Sequence, residues 1–144
     1  RGLEANGNWR LLDTATRVDL QWRADSVRAT NASAGEPLPR MAPLRLGTTL
    51  VVTRGAWDAR LGADHAARQS RVPAGEIATP AYTLWSASLG YRMALASASL
   101  HWYLRLENAA DRLAASATSI LTQTAPGRVP LPGRSVKAGV QASF

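Results

Sequence analysis

Arg17-Val18-Asp19-Leu20-Gln21-Trp22-Arg23-Ala24-Asp25 alternates polar and apolar residues without a break. Successive side chains of an extended strand project to opposite faces. The period therefore places Val18, Leu20, Trp22 and Ala24 on one face and Arg17, Asp19, Gln21, Arg23 and Asp25 on the other. The segment continues to Ala29, its parity blurring at Val27, where a β-bulge is expected.

The same period recurs on both sides of this stretch, giving seven segments close to the roughly 9–11 residues with which a tilted strand crosses a bilayer. Gly2–Leu12 sets Leu3, Ala5, Gly7, Trp9 and Leu11 against Glu4, Asn6, Asn8 and Arg10. Leu44–Val52 sets Leu44, Leu46, Thr48, Leu50 and Val52 against Arg45, Gly47 and Thr49. Trp57, Ala59, Leu61, Ala63 and Ala67 oppose Asp58, Arg60, Gly62, Asp64 and Arg68. Thr83, Trp85, Ala87, Leu89 and Tyr91 oppose Leu84, Ser86, Ser88 and Gly90, so this fifth strand carries no charge on its polar face. Leu100, Trp102, Leu104 and Leu106 oppose His101, Tyr103, Arg105 and Glu107, and the last strand turns Val136, Ala138, Val140, Ala142 and Phe144 outward.

The connections alternate short and long. Asp13–Thr16, Arg54-Gly55 and Met93–Ala96 are tight, whereas Thr30–Pro43, Ser70–Pro80 and Ala109–Pro132 are extended loops. Outer-membrane barrels have this asymmetry, with tight periplasmic turns and long extracellular loops. Trp9, Trp57, Tyr91 and Phe144 lie on the apolar face at ends assigned to the short-turn side, as an interfacial aromatic girdle would. The expected fold is all-β: an antiparallel transmembrane β-barrel segment of about seven strands, a curved sheet not closed alone, with free edges at Gly2–Leu12 and Ser135–Phe144. The alternative is a small outer-membrane barrel or a soluble β-sandwich with a structural or binding role. An apolar face rich in Ala and Leu is thin material for a dry core but adequate against acyl chains.

Composition narrows the class further. Although 46% of the residues are hydrophobic, no run approaches the roughly 18 apolar residues that a spanning helix needs, so a helical membrane protein is excluded. There is no cysteine, hence no disulfide or thiolate chemistry. The net charge of +7 would suit nucleic acid, but the arginines are dispersed from Arg1 to Arg134 with acids between them, as on one wall of a sheet; no nucleic-acid partner is expected. Arg1-Gly2-Leu3-Glu4 lacks the features of a signal peptide, so either a leader has been removed or the sequence is a piece of a longer chain.

Four segments carry a resemblance, the first to outer-membrane barrels in general and the other three to one family. Lys137-Ala138-Gly139-Val140-Gln141-Ala142-Ser143-Phe144 resembles the C-terminal β-signal by which outer-membrane barrels are recognised for assembly, carried here by Lys137, Gly139, Val140, Ala142 and Phe144. A final edge strand needs regular alternation and unblocked backbone groups to pair with the assembly machinery and with the first strand. Leu104-Arg105-Leu106-Glu107-Asn108-Ala109-Ala110-Asp111-Arg112 resembles the V-x-N-L-x-D-K segment of the penultimate strand of TonB-dependent receptors. Pro130-Leu131-Pro132-Gly133-Arg134-Ser135-Val136 resembles the P-G-R-x-x element opening their last strand. Pro39-Arg40-Met41-Ala42-Pro43-Leu44-Arg45-Leu46-Gly47 is similar to their P-R-x-P-x-x-R-x-G entry to an earlier one.

The resemblance implies that residues 1–144 are the C-terminal part of such a receptor barrel, with the plug domain and N-terminal strands outside this sequence. It implies a place in the bacterial outer membrane and energised uptake of a scarce metal or metal chelate: zinc, haem or a ferric siderophore. Ser119-Ile120-Leu121, leading to Pro132-Gly133-Arg134, is similar to the zinc-uptake branch. The implied partners are outer-membrane lipid, the chain's own plug and remaining strands, TonB acting through that plug, and the barrel-assembly machinery. No cofactor is implied.

Arg23, Asp25, Arg45, Arg60, Asp64, Arg68, Arg105 and Glu107 are the residues expected to face the lumen, as paired or solvated wall charges. His101 has inward parity and His65 outward parity, with no carboxylate at ligand spacing, so no metal site is expected within the chain. Catalysis is not expected, since no Gly-x-Ser-x-Gly element is present and neither histidine has a recognisable triad spacing.

Overall fold

The computed structural model describes residues Arg1–Phe144. Seven strands form one sheet in sequence order: β1 (Gly2–Asp13), β2 (Thr16–Val27), β3 (Arg45–Arg54), β4 (Trp57–Ala66), β5 (Tyr82–Ala94), β6 (Ser99–Glu107) and β7 (Ser135–Ser143). Every neighbour is antiparallel, and β1 and β7 do not pair, so the sheet is open. The ten residues of β3 or β4 extend about 33 Å; tilted by about 45°, they rise about 23 Å, close to the apolar band of an outer-membrane barrel.

The register is continuous across the sheet. Trp9, Leu20, Leu50, Leu61, Ala87, Leu106 and Val136 form one row on the apolar face. On the polar face Val51, Arg60, Ser88, Arg105 and Lys137 form another. Only Ala66 and Ala114 are buried apolar residues, while Leu3, Leu61 and Val136 are 83%, 53% and 67% exposed. A sheet with one wholly uncovered apolar face has no second layer, so the two-layer sandwich is not what forms.

Several local expectations are corrected. The register shift lies between Arg10 and Leu12, not at Val27, which pairs regularly with Gly2. Leu11 and Leu12 are adjacent apolar residues, and the bulge puts Leu12 opposite Val18, on the outward side. Arg10 holds the site, its Nε donating to Asp19 Oδ1 at 2.6 Å and its guanidinium to Asp13 Oδ2 at 3.0 Å. β5 runs to Ala94, so its turn covers Leu95–Ala98, where the Leu95 amide donates to the Ala98 carbonyl. That extension puts Arg92, paired with His101, on the polar face, and the fifth strand does carry a charge. β4 ends at Ala66, which leaves Arg68 in the second long loop. The third long loop contains a short helix, α1 (Ile120–Thr124), capped by the Ser119 hydroxyl.

Glycines on the polar face have a steric role that alternation alone does not reveal. A Cβ on Gly47 would lie 2.5 Å from Arg23 Nε, one on Gly90 2.6 Å from both Asp58 Oδ1 and His101 Nε2, and one on Gly139 2.5 Å from the Tyr103 hydroxyl. Each glycine is a gap over which a neighbouring strand's side chain lies flat. Tyr103 and Gly139 are direct cross-strand partners, so the ring covers the bare backbone of the last strand. We expect Gly139→Val to destabilise the sheet by about 1–3 kcal/mol through overpacking. Combined with Tyr103→Ala, the valine should cost less than the sum of the two single changes, read from the folded fraction on heat-modifiable electrophoresis.

Candidate functional site

The polar face is a ladder of cross-strand charge pairs set by the register. Arg23 and Asp64 flank Gly47 in one row, and their side chains meet above it as an ion pair. Arg45 opposes Asp25, with its Nε 3.0 and 2.9 Å from the two carboxylate oxygens. Lys137 Nζ donates to Glu107 Oε2 at 2.8 Å across β6 and β7. All these pairs are solvent-accessible, so each contributes little to stability; their effect is to fix where charge lies on the wall.

Of the residues assigned to the lumen by parity, Arg23, Asp25, Arg45, Asp64 and Glu107 are in these pairs. Arg60 and Arg105 make no ion pair and stand in one row on either side of Ser88. The Arg105 guanidinium lies over the Tyr103 ring, 5.8 Å from its centre. With Arg92 they border a groove of about 540 Å³ whose floor includes Gly62, Ser86, Ser88 and Gly90.

Within that groove the topology brings together two residues that sequence spacing kept apart. His101 Nε2 lies 3.3 Å from Asp58 Oδ1, and the two side chains meet over Gly90. β4 and β6 both neighbour β5, so residues 43 positions apart meet where the intervening strand has no side chain. The signal was present in sequence as an inward His, an inward Asp and an inward Gly, but the register that aligns them was not. His65 lies on the other face, its Nδ1 2.9 Å from the Thr83 hydroxyl.

The aromatic residues of the outward face group partly as parity suggested. Trp57 and Tyr91 are cross-strand partners with ring centres 4.6 Å apart, and Trp102, not assigned to the girdle from sequence, is the next partner of Tyr91. Trp57 opens its strand at the tight turn, whereas Trp9 is set farther back and packs 5.9 Å from Trp22. Phe144 follows β7 and is fully exposed; Val140 and Ala142 pair with Trp102 and Leu100.

The motif segments prove to be joints between strands. Asn108, at φ 47° and almost fully buried, donates its side-chain amide to the carbonyls of Arg112 and Pro132, both at 3.0 Å, and accepts from the Arg112 amide at 2.8 Å. Asp111 accepts from the Arg134 amide at 2.8 Å. Thus the Asn108–Asp111 element at the end of β6 holds the Pro132-Gly133-Arg134 element that opens β7. In the Pro39–Gly47 stretch, the Met41 carbonyl accepts from Gln69 Nε2 at 2.8 Å, Arg45 pairs with Asp25, and Gly47 makes room for Arg23.

The long loops also tie to one another. Arg71 of the second loop donates to the Ala29 carbonyl at 2.9 Å and to the Thr30 hydroxyl at 2.6 Å. Gln123 of the third exchanges two hydrogen bonds with the backbone of Ile77 in the second, at 2.7 and 3.0 Å. The buried polar residues Gln69, Thr79, Asn108 and Thr122 all lie in this loop layer. Asn108→Ala should remove three hydrogen bonds to the backbone of Arg112 and Pro132, each worth about 0.5–1.5 kcal/mol. Faster hydrogen exchange at the Arg112 amide, and loosening of the Arg134 amide beside it, is the expected signature.

Comparison with known proteins follows the same lines. A family described as TonB dependent receptor-like, beta-barrel matches residues 1–110. Among solved structures, one named copper transporter OprC is similar at a TM-score of 0.76 and 19% identity, a likeness that shows the fold alone. The match covers 96% of this chain but only 22% of that one. None of the curated proteins matches. The family match spans most of the chain, and its strand order and one-sided apolar face agree with it: this chain belongs to the TonB-dependent receptor-like β-barrel family.

Proposed function

We propose that the chain is the C-terminal part of the barrel wall of an outer-membrane TonB-dependent receptor that takes up a scarce metal or metal chelate. The observation that carries this reading is the division of one open sheet into an uncovered apolar face and a face of cross-strand charge pairs. The first suits acyl chains; the second suits a wet lumen occupied by a plug. Trp57, Tyr91, Trp102 and Phe144, with Trp9 farther in, would anchor the short-turn rim at the periplasmic interface. Lys137, Gly139, Val140, Ala142 and Phe144 would present the last strand to the assembly machinery. The remaining strands and the plug, through which TonB acts, would be supplied by the rest of the receptor.

The cargo classes are zinc, haem and ferric siderophores, and the structural likeness to a copper transporter adds copper to the metals worth measuring. In bacteria carrying the gene, its deletion should reduce accumulation of one of these under limitation to the level seen when TonB is absent. Uptake of all four that is indifferent to both deletions would sink the proposal. A chain that stays in the aqueous phase without detergent would favour the small soluble β-domain instead.

A further inference from the structure

Asp58 and His101 meet on the polar face, on strands that are each paired along both edges, so their contact is set by the sheet alone. Both side chains keep some exposure to the groove, yet Asp58 Oδ1 and His101 Nε2 are themselves buried and neither makes a hydrogen bond. Their separation of 3.3 Å is longer than the roughly 2.7–2.9 Å of a charge-assisted N–H···O bond. Buried polar atoms ordinarily find partners, so two that face each other without bonding call for an explanation.

Gly90 shapes the space between them. The point that a Cβ would occupy there is 2.6 Å from Asp58 Oδ1, 2.6 Å from His101 Nε2 and 2.8 Å from Asp58 Oδ2. One imidazole nitrogen and both oxygens of one carboxylate thus converge over bare backbone. Imidazole and carboxylate together suit a first-row divalent ion such as zinc, which takes nitrogen at about 2.0–2.1 Å and oxygen at about 2.0–2.2 Å. Two such bonds at a tetrahedral angle hold their ligand atoms about 3.3 Å apart, which is the separation of this pair. No third carboxylate, imidazole or thiolate joins them, so water from the adjoining groove completes the shell. Arg60 and Arg92 border the same groove, Arg92 as the direct cross-strand partner of His101, and their charge weakens the hold on a cation. Weak binding suits a passage, since an ion that enters must also leave.

We infer that His101 Nε2 and the Asp58 carboxylate are the two protein ligands of a weak site for a divalent transition-metal ion over Gly90. Spacing along the chain supplied His101 with no carboxylate; the register of β4, β5 and β6 supplies one. A ferric siderophore encloses its metal and leaves no position open to these ligands, so the site takes the hydrated ion. In the receptor proposed above the ion is cargo, and the site is a stopping place on the wall of its path. That role rests on the receptor reading, whereas the binding itself does not.

The test uses the whole receptor purified in detergent, with bound zinc counted by equilibrium dialysis. Asp58→Asn and His101→Gln, close in shape to the native residues, should each lose one zinc ion per receptor at a free concentration that fills the parent. Asp58→His exchanges one ligand for another and should keep the ion. With copper(II) in place of zinc, the paramagnetic resonance difference spectrum of Asp58→His against His101→Gln should show two coupled nitrogens where that of the parent shows one. Parent stoichiometry in both Asp58→Asn and His101→Gln overturns the site. Loss of the ion in Asp58→His, in a barrel that still shifts on heat-modifiable electrophoresis, overturns it too. Metal accumulation in cells that ignores TonB, while the purified variants still lose the ion, refutes the receptor reading and leaves the site standing.

Discussion

The backbone hydrogen-bond ladder is the constraint on which everything else in this sheet depends. A strand crossing hydrocarbon has no water to satisfy its amides and carbonyls, so each must find a partner on the next strand. Once the ladder is fixed, so is the register, and with it the partner of every charged residue on the polar face. Arg23 meets Asp64 and Arg45 meets Asp25 because the backbone brings them level, and Lys137 meets Glu107 on the diagonal one same-face position away. The ion pairs are consequences of pairing more than causes of it, since exposed pairs are too weak to hold strands together.

The same constraint gives the motif residues their meaning. Strand order follows sequence order throughout, so the longest connection, between β6 and β7, is the one most in need of a fixed geometry. Asn108 and Asp111 supply it by reaching the carbonyl of Pro132 and the amide of Arg134. Left-handed backbone at both residues bends the chain away from β6 at that point. Short polar side chains tolerate that conformation and can bond the backbone locally, which explains why Asn and Asp serve here.

Period-two alternation made the strands, their faces and the short and long connections legible, because each is a local property. Strand ends were less so. Arg92 was missed as a polar-face charge because Met93 and Ala94 carry no turn signal and the strand continues through them. The bulge was misplaced because two leucines in a row look like either parity. The Asp58–His101 contact and the Gln123–Ile77 bridge depend on register or loop packing, which no single segment encodes. Family motifs were visible as patterns, yet their physical purpose as strand joints appeared only with the hydrogen bonds drawn.

The glycines of the polar face have a geometrical consequence for the surface they leave. Where Arg23, Tyr103 and the Asp58–His101 pair lie over Gly47, Gly139 and Gly90, long side chains are laid along the sheet from a neighbouring strand. The relief of that face is then lower than the lengths of its side chains alone would make it, and replacing any of these glycines would raise it from a strand away.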